Sequence, residues 1–325
     1  MTTIKGVAGK CGVSFQTVSH VLNGKPGKVS TATRTRILTA AREMGYVPDL
    51  GARSIVTRRT NLAGVLMPAL ASQFYAELVT QIQAELQKRD YAGICAFWHD
   101  IEEVGSTFEL AKKYRVDGII SAHSDASVFP TGIPLVNYGR AVAGFDSVQF
   151  PRSAVWSAAY RYLRSLGHSR IAVLTARAAA DLIPEELRES RPDWILFDDT
   201  NMTGGARMMT ALLRRRGERP TAIIAHSDTT AIGAMSVALG AGLSIPGDLS
   251  IIGRDDIEEA KFAPVPLTTF AVEGEPLAAV LVRMLFERIA EPGMPERNVF
   301  MPWRLVERAS CGICPDNHHP KGEKK

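Results

Sequence analysis

The sequence predicts two folds in one chain: a small all-α module over residues 1–60, then an α/β body of parallel sheets flanked by helices. Three observations carry this. Charge is segregated, because ten of the 38 Lys and Arg fall within residues 1–60 against two acids, Glu43 and Asp49, leaving +8 on that segment and −4 on the rest. Apolar residues recur at helical spacing up to Met44. From Leu62 short apolar runs alternate with amphipathic stretches, the pattern of parallel strands connected through helices.

In the basic module, Ile4, Val7, Ala8 and Cys11 line one face of a first helix that Thr3 is placed to cap. Gly12-Val13 makes a tight turn, and Ser14 is a good N-cap for a second helix running to about Leu22. Val18, Val21 and Leu22 turn inward, which leaves Phe15, Gln16, Thr17, Ser19 and His20 outward. Ser30 starts a third helix through Met44, with Ile37, Leu38, Ala41 and Met44 inward and Gly45 as its stop. Two short helices joined by a tight turn through Gly are the helix-turn-helix layout, in which the second helix enters the major groove. A basic module on a mildly acidic body fits a nucleic-acid reader with a separate second function.

In the body, strands are expected at Leu62–Met67, Tyr91–Phe97, Gly118–Ser121, Leu135–Tyr138, Ile171–Leu174, Ala222–Ala225 and Leu249–Gly253. Helices are expected at Tyr75–Arg89, Glu102–Arg115, Ser153–Leu166, within Thr203–Arg215, and at Asp228–Gly240. That is too many units for one sheet of usual size, so two doubly wound lobes are expected.

The headpiece residues resemble those of the lactose/galactose repressor family. The likeness rests on Thr3-Ile4-Lys5, Val7-Ala8, Gly12-Val13-Ser14, Thr17-Val18-Ser19-His20-Val21-Leu22-Asn23, Gly45-Tyr46, Pro48 and Ala52-Arg53-Ser54. It continues through Arg115-Val116-Asp117-Gly118, Gly167-His168, Arg219-Pro220-Thr221, Ala231-Ile232-Gly233, Ile245-Pro246, Asp255-Asp256-Ile257 and Pro266-Leu267-Thr268-Thr269. The resemblance implies a helix-turn-helix headpiece (1–48), a hinge (49–60) and a periplasmic-binding-protein-like core (61–308). The core's lobes are then 61–151 with 274–296, and 152–273 with 297–308, and residues 309–325 form a disordered tail.

It also implies roles. Phe15 and Gln16 would meet base edges, Gln by a bidentate bond to adenine. His20 stands where the family often has Arg, while Ser14, Thr17, Asn23 and Tyr46 would hold phosphates. In the hinge, Ala52 and Arg53 would contact DNA, and Ile55 takes the place of a Leu that wedges into the minor groove. Gly51, where Ala is usual, makes hinge order more dependent on DNA. For the effector, the resemblance implies Phe74, Tyr75, His123, Asp228 and Asp255.

The ligand positions depart from the family pattern. Ala69, Ser72 and Gln73 replace an Asp and an Asn-Pro, Ser227 replaces an Asn, and Arg254 replaces a Phe. The segment after Leu174 is shortened and loses a ligand-gripping Arg, for which Arg188 is a candidate substitute. Thr200 stands where an aromatic stacks on the ligand. The expected effector is therefore not a typical neutral sugar bound in the standard way.

The expected function is a cytoplasmic, dimeric or tetrameric repressor of a near-palindromic double-stranded DNA operator, modulated by a sugar, sugar acid or related metabolite. Alternatives are an effector-independent regulator and a solute-binding protein; the latter lacks support from any signal-like N-terminus. No apolar run approaches a membrane span. An enzyme is disfavoured because no phosphate loop, H-E-x-x-H or G-x-S-x-G motif is found. No cofactor or metal is expected. Cys311-Gly312-Ile313-Cys314 with His318-His319 could form a zinc or redox site, but reads first as tail, while Cys11 and Cys95 read as core.

Overall fold

A computed structural model describes residues 3–22, 29–47, 54, 59–69 and 73–317. They cluster into two compact units, Met1–Asn61 and Leu62–Lys325.

The first unit holds α1 (Ile4–Cys11), α2 (Phe15–Leu22) and α3 (Thr31–Glu43). Hydroxyls satisfy the open amides at each helix start. Thr3 Oγ1 accepts from Gly6 N at 3.2 Å, Ser14 Oγ from Thr17 N at 3.1 Å and Ser30 Oγ from Thr33 N at 3.2 Å. Gly12 ends α1 at φ 60, a left-handed conformation that glycine adopts without a Cβ clash, so α2 can start almost at once. Val7, Ala8, Cys11, Val18, Val21, Ile37, Ala40 and Ala41 form the core. Leu38 departs from expectation: it is 42% exposed. The inner stripe of α3 is Ile37, Ala40, Ala41 and Met44, at i, i+3, i+4 and i+7, and Leu38 lies off it.

The second unit begins with β1 (Leu62–Pro68), α4 (Gln73–Gln87), β2 (Ala92–Trp98), α5 (Val104–Lys113), β3 (Gly118–Ser121), β4 (Leu135–Tyr138) and β5 (Asp146–Gln149). There follow α6 (Arg152–Ser165), β6 (Ile171–Thr175), α7 (Glu185–Ser190), β7 (Ile195–Phe197), α8 (Met202–Leu213), β8 (Ala222–Ala225) and α9 (Asp228–Gly240). Last come β9 (Ser250–Ile252), α10 (Glu258–Phe262), β10 (Thr269–Val272), α11 (Leu277–Ala290), β11 (Asn298–Phe300) and β12 (Trp303–Val306).

Six strands form a parallel sheet ordered β11-β5-β4-β3-β1-β2, and four form a second parallel sheet ordered β7-β6-β8-β9. A small antiparallel pair, β10 with β12, completes the strands. One buried cluster runs through both parallel sheets, from Val65, Met67 and Ile82 through Trp156 to Val173, Phe270 and Leu281. The far faces have their own clusters, around Phe108 and Ile119 in the first sheet and around Met208, Ala234 and Ile251 in the second.

Two expectations change. The resemblance implies the second lobe for residues 297–308, yet β11 pairs with β5 and is an edge strand of the first sheet. Asp146 explains this: its sealed carboxylate takes Arg288 at 2.6 Å, Arg297 Nη2 at 2.7 Å and the Arg297 amide at 2.9 Å, so the chain entering β11 is held against β5. Burial alone would raise that carboxyl's pKa; the hydrogen bonds from Arg288 and Arg297 outweigh it and the net shift is downward.

The tail expectation also fails from residue 309 as far as Asn317. Ser310 is sealed, its Oγ donating to Ile251 O at 2.6 Å while Ile251 N donates to Ser310 O at 2.8 Å. Gly312 N donates to Ser250 Oγ at 3.0 Å, and Gly312 O lies 3.0 Å from His168 Nε2. The segment thus dresses the base of β9. His318 and His319 lie outside the described residues.

Candidate functional site

The first unit presents α2 with its inner side spent on the core. Ser14, Gln16 and His20 are exposed and Phe15 is 52% exposed, whereas Val18 and Val21 are buried. Gln16 and His20 sit one turn apart on one face, with Phe15 beside them at the amino end. Ser14 and Thr17 are engaged with each other (Oγ to Oγ1 2.9 Å), so their first role is to start the helix. Tyr46 rests half-buried against the core. Lys5, Arg36 and Arg42 are exposed basic groups on the same module. Asn23, Ala52, Arg53 and Ile55 lie outside the described residues.

The second unit gathers polar and aromatic groups just past the carboxyl ends of its parallel strands, where open α/β sheets bind ligands. Tyr138 ends β4, Phe150 and Arg152 follow β5, His226 follows β8, and Arg254 and Asp255 follow β9. Phe74 and Tyr75 enter from the first turn of α4. The Phe74 ring is 5.3 Å from Tyr75 and 5.8 Å from Tyr138, and it touches both the shared core and the second sheet's cluster.

Electrostatics tie these groups together. Burial raises the pKa of Tyr75 and Tyr138, and the charges of Arg152, Asp255 and Arg254 reach both. Burial lowers His226, reinforced by Arg254 and Arg152, so this ring is neutral; its Nδ1 is 2.9 Å from Thr175 Oγ1. Arg254 donates through Nε to Asp255 Oδ1 at 3.1 Å, and its guanidinium lies 6.0 Å from the Phe150 ring centroid. Asp255 has φ 120 and Asp256 φ 53, two consecutive non-glycine residues at positive φ. Such strain persists only where the surroundings over-determine it; here Asp255 N donates to Phe270 O at 2.9 Å and Asp256 takes Arg308 at 2.5 Å.

Of the effector residues expected from sequence, Phe74, Tyr75 and Asp255 therefore come together. Asp228 does not face an open site. It is 0% exposed, with Oδ1 accepting from Thr269 Oγ1 at 2.5 Å and Oδ2 from Ile257 N at 3.1 Å. Its carboxyl ties the start of α9 to β10 and to Ile257. His123 also follows a strand end, but its ring meets Trp98 (5.7 Å) and Phe129 (6.4 Å) on the outer face of the first sheet. Arg188 is exposed on α7. Thr200 serves through its carbonyl, which accepts from Ser227 Oγ at 3.1 Å and Thr230 Oγ1 at 2.8 Å.

Tyr138, Phe150, Arg152 and His226 were not foreseen. Each stands within three residues of a strand's carboxyl end, and that position was the available signal.

Two surface cavities lie elsewhere on the second unit. One, of about 180 Å³, is lined by Met209, Leu212, Leu249 and Pro315; the other, of about 320 Å³, by Phe197, Asp198 and Arg207. Cys311 and Cys314 belong to the fold. Cys311 Sγ lies 3.3 Å from Ile251 O and Cys314 Sγ 3.7 Å from Thr221 Oγ1, and burial pushes the Cys311 thiol up to about 12. Among the described residues no three His, Cys, Asp or Glu side chains form a metal-binding group, and no helix is long and apolar enough to cross a membrane.

A basic helix-turn-helix module in one chain with two parallel sheets whose carboxyl ends gather Tyr138, Arg152, His226, Arg254 and Asp255 defines the class of transcriptional regulators built from a DNA-binding headpiece and a sensor core. Comparison with known proteins narrows this. Residues 3–49 match bacterial regulatory proteins of the lacI family, and residues 160–311 match the periplasmic binding protein-like domain. The chain is 31% identical over 333 residues to the ribose operon repressor of Escherichia coli K12, covering 96% of this chain and all of that protein. It is 30% identical over 331 residues to the transcriptional repressor PurR of Pasteurella multocida, covering 95% of this chain and 98% of that one. The chain belongs to the lacI family.

Among solved structures, the Lac repressor dimer bound to operator and the anti-inducer ONPF superposes with a TM-score of 0.83 at 24% identity, covering 96% and 99% of the two chains. A LacI family regulator from Enterococcus faecium with bound ribose gives 0.66 at 25%, covering 78% and 99%.

Proposed function

We propose that this protein is a cytoplasmic repressor, not an enzyme, that binds a near-palindromic duplex operator as a homodimer and is tuned by a small molecule held in the cleft of its sensor core. The observation that carries the reading is α2: a helix capped by Ser14, packed by Val18 and Val21, and open to water along Phe15, Gln16 and His20 on a module carrying +8. Gln16 reads an adenine edge through two hydrogen bonds, and Phe15 meets a thymine methyl. Ser14, Thr17, Asn23 and Tyr46 set register on phosphates, while Ala52, Arg53 and Ile55 contribute from the hinge. One headpiece buries little surface, so two half-sites read together supply the affinity that specific binding requires.

In the core, Phe74, Tyr75, Tyr138, Arg152, Arg254 and Asp255 contact the effector, with Asp228 as a positioning residue. A ligand bridging the two sheets stabilises one arrangement of them over another, and that difference in free energy is what reaches the operator. The relative named as a ribose operon repressor and the LacI family regulator with bound ribose support regulation by a metabolite.

The test is binding of the full chain to duplex DNA across a salt series. The expected result is an affinity that falls steeply with salt and is lost when residues 1–60 are removed. Binding that is insensitive to salt, or that survives the deletion, would overturn the reading. Selecting bound fragments from the source genome would then give the operator.

A further inference from the structure

We propose that the effector is an anion, a small hydroxy acid or phosphorylated metabolite, whose charged oxygens bond Arg254 and face Arg152; the inference rests on the cleft being the effector site.

Arg254 is 7% exposed, yet among the described residues its Nη1 has no hydrogen-bond partner. Among the described residues its one ion-pair partner is Asp255, taken through Nε at 3.1 Å. A buried guanidinium N–H without an acceptor is costly, and native proteins rarely leave one open without a purpose. The planar fork of an arginine matches carboxylate and phosphate oxygens better than it matches isolated hydroxyls.

The surroundings agree. Arg152 acts on the same set of groups: Tyr75, Tyr138, His226 and Asp255. Two arginines thus act on one carboxylate, Asp255. Of the other acids described nearby, Asp228 is sealed and turned to Thr269 and Ile257, and Asp256 is paired with Arg308. An anionic ligand offsets the excess positive charge, whereas a neutral sugar leaves it uncompensated in a site lined by Phe74, Tyr75, Tyr138 and Phe150. Those rings suit the carbon skeleton of the ligand, and Asp255 can accept from its hydroxyls.

The experiment uses the full-length protein and matched pairs: gluconate with glucose, galacturonate with galactose, and ribose 5-phosphate with ribose. Binding is followed by titration calorimetry, and operator affinity is measured alongside. The expected result is that an anionic member binds at least ten-fold tighter than its neutral partner and changes operator affinity. Arg254→Phe is expected to weaken that anion about 10- to 100-fold and to lower the apo melting temperature, because buried Asp255 loses its ion-pair partner. Arg254→Lys, which keeps the charge but not the fork, falls between. If Arg254→Phe fails to fold, the Lys variant and the matched pairs still decide. A neutral member that binds as tightly as its anion and alters operator affinity overturns the anion assignment and leaves the effector reading intact. If no member of either kind alters operator affinity, both fall.

Discussion

Replacing Gly233 by alanine tests how closely α8 and α9 are bound. A Cβ at Gly233 would lie 1.9 Å from Met202 O, and one at Gly205, on the facing helix, 2.1 Å from Thr230 O. Real Cβ atoms essentially never come within 3.0 Å of such a neighbour. The obstacle is a backbone carbonyl, which cannot rotate aside, so the helices must part by roughly 1 Å in an interior already packed to crystal density. Ala231, Ala234, Met235 and Ala238 would then lose part of their contact with the second sheet's core. The expected cost lies at or above the top of the ~1–3 kcal/mol range for overpacking, a large share of the ~5–15 kcal/mol that holds a domain. Urea unfolding of the full chain, followed by circular dichroism, measures it. Gly240 is the control: it closes the same helix with nothing within 4 Å of its Cβ, so Gly240→Ala should be neutral or stabilising by up to about 1 kcal/mol. If the two variants unfolded at the same denaturant concentration, the close-approach argument would be wrong.

Three further outcomes are expected. Gln16→Ala should cost about 1–3 kcal/mol of operator affinity and relax discrimination at one base pair without altering the salt slope; fluorescence anisotropy with single-substituted operators reads this, and unchanged discrimination refutes it. Asp146→Ala leaves Arg288 and Arg297 facing each other and should destabilise the second unit by about 3 kcal/mol; a loss indistinguishable from zero in urea unfolding would contradict the role given to this carboxylate. Burial, then Asp255, raises Asp228 to about 7, above its unfolded value of roughly 3.9. The native state thus holds a proton that the unfolded chain has lost. That contribution is complete below pH ~4 and disappears as pH rises to about 7, so stability should fall across that window and Asp228→Asn should flatten the fall. An identical pH slope in the variant would count against it.

The headpiece was legible almost residue by residue, because every element in it is local. Thr3, Ser14 and Ser30 cap as their positions suggest, and Gly12 turns as glycine can. Leu38 misled because α3 has two apolar residues adjacent in sequence, and only one can join the stripe. In the core, Ala222–Ala225 and Asp228–Gly240 were readable to the residue from their apolar pattern. β5 was not, since Asp146, Ser147 and Gln149 leave Val148 as its lone apolar residue; its burial is secured by arginines more than a hundred positions later. The cleft shows the same divide. Phe74, Tyr75 and Asp255 are expected from the resemblance and come together in the fold, whereas Arg152 and His226 join them only once two sheets bring their strand ends together. Asp228 carried the right neighbours in sequence but the wrong side of the wall in space.

The return of β11 to the first sheet bears on how the protein is made. Synthesis proceeds from the amino end, and units fold as they become complete. All residues of the headpiece core, up to Tyr46, are available early. The first sheet waits for Asn298–Phe300, and β9 waits for Ser310 and Gly312 to cover its base. Each nascent chain therefore passes through a long interval in which a finished DNA-binding module trails an unfinished sensor.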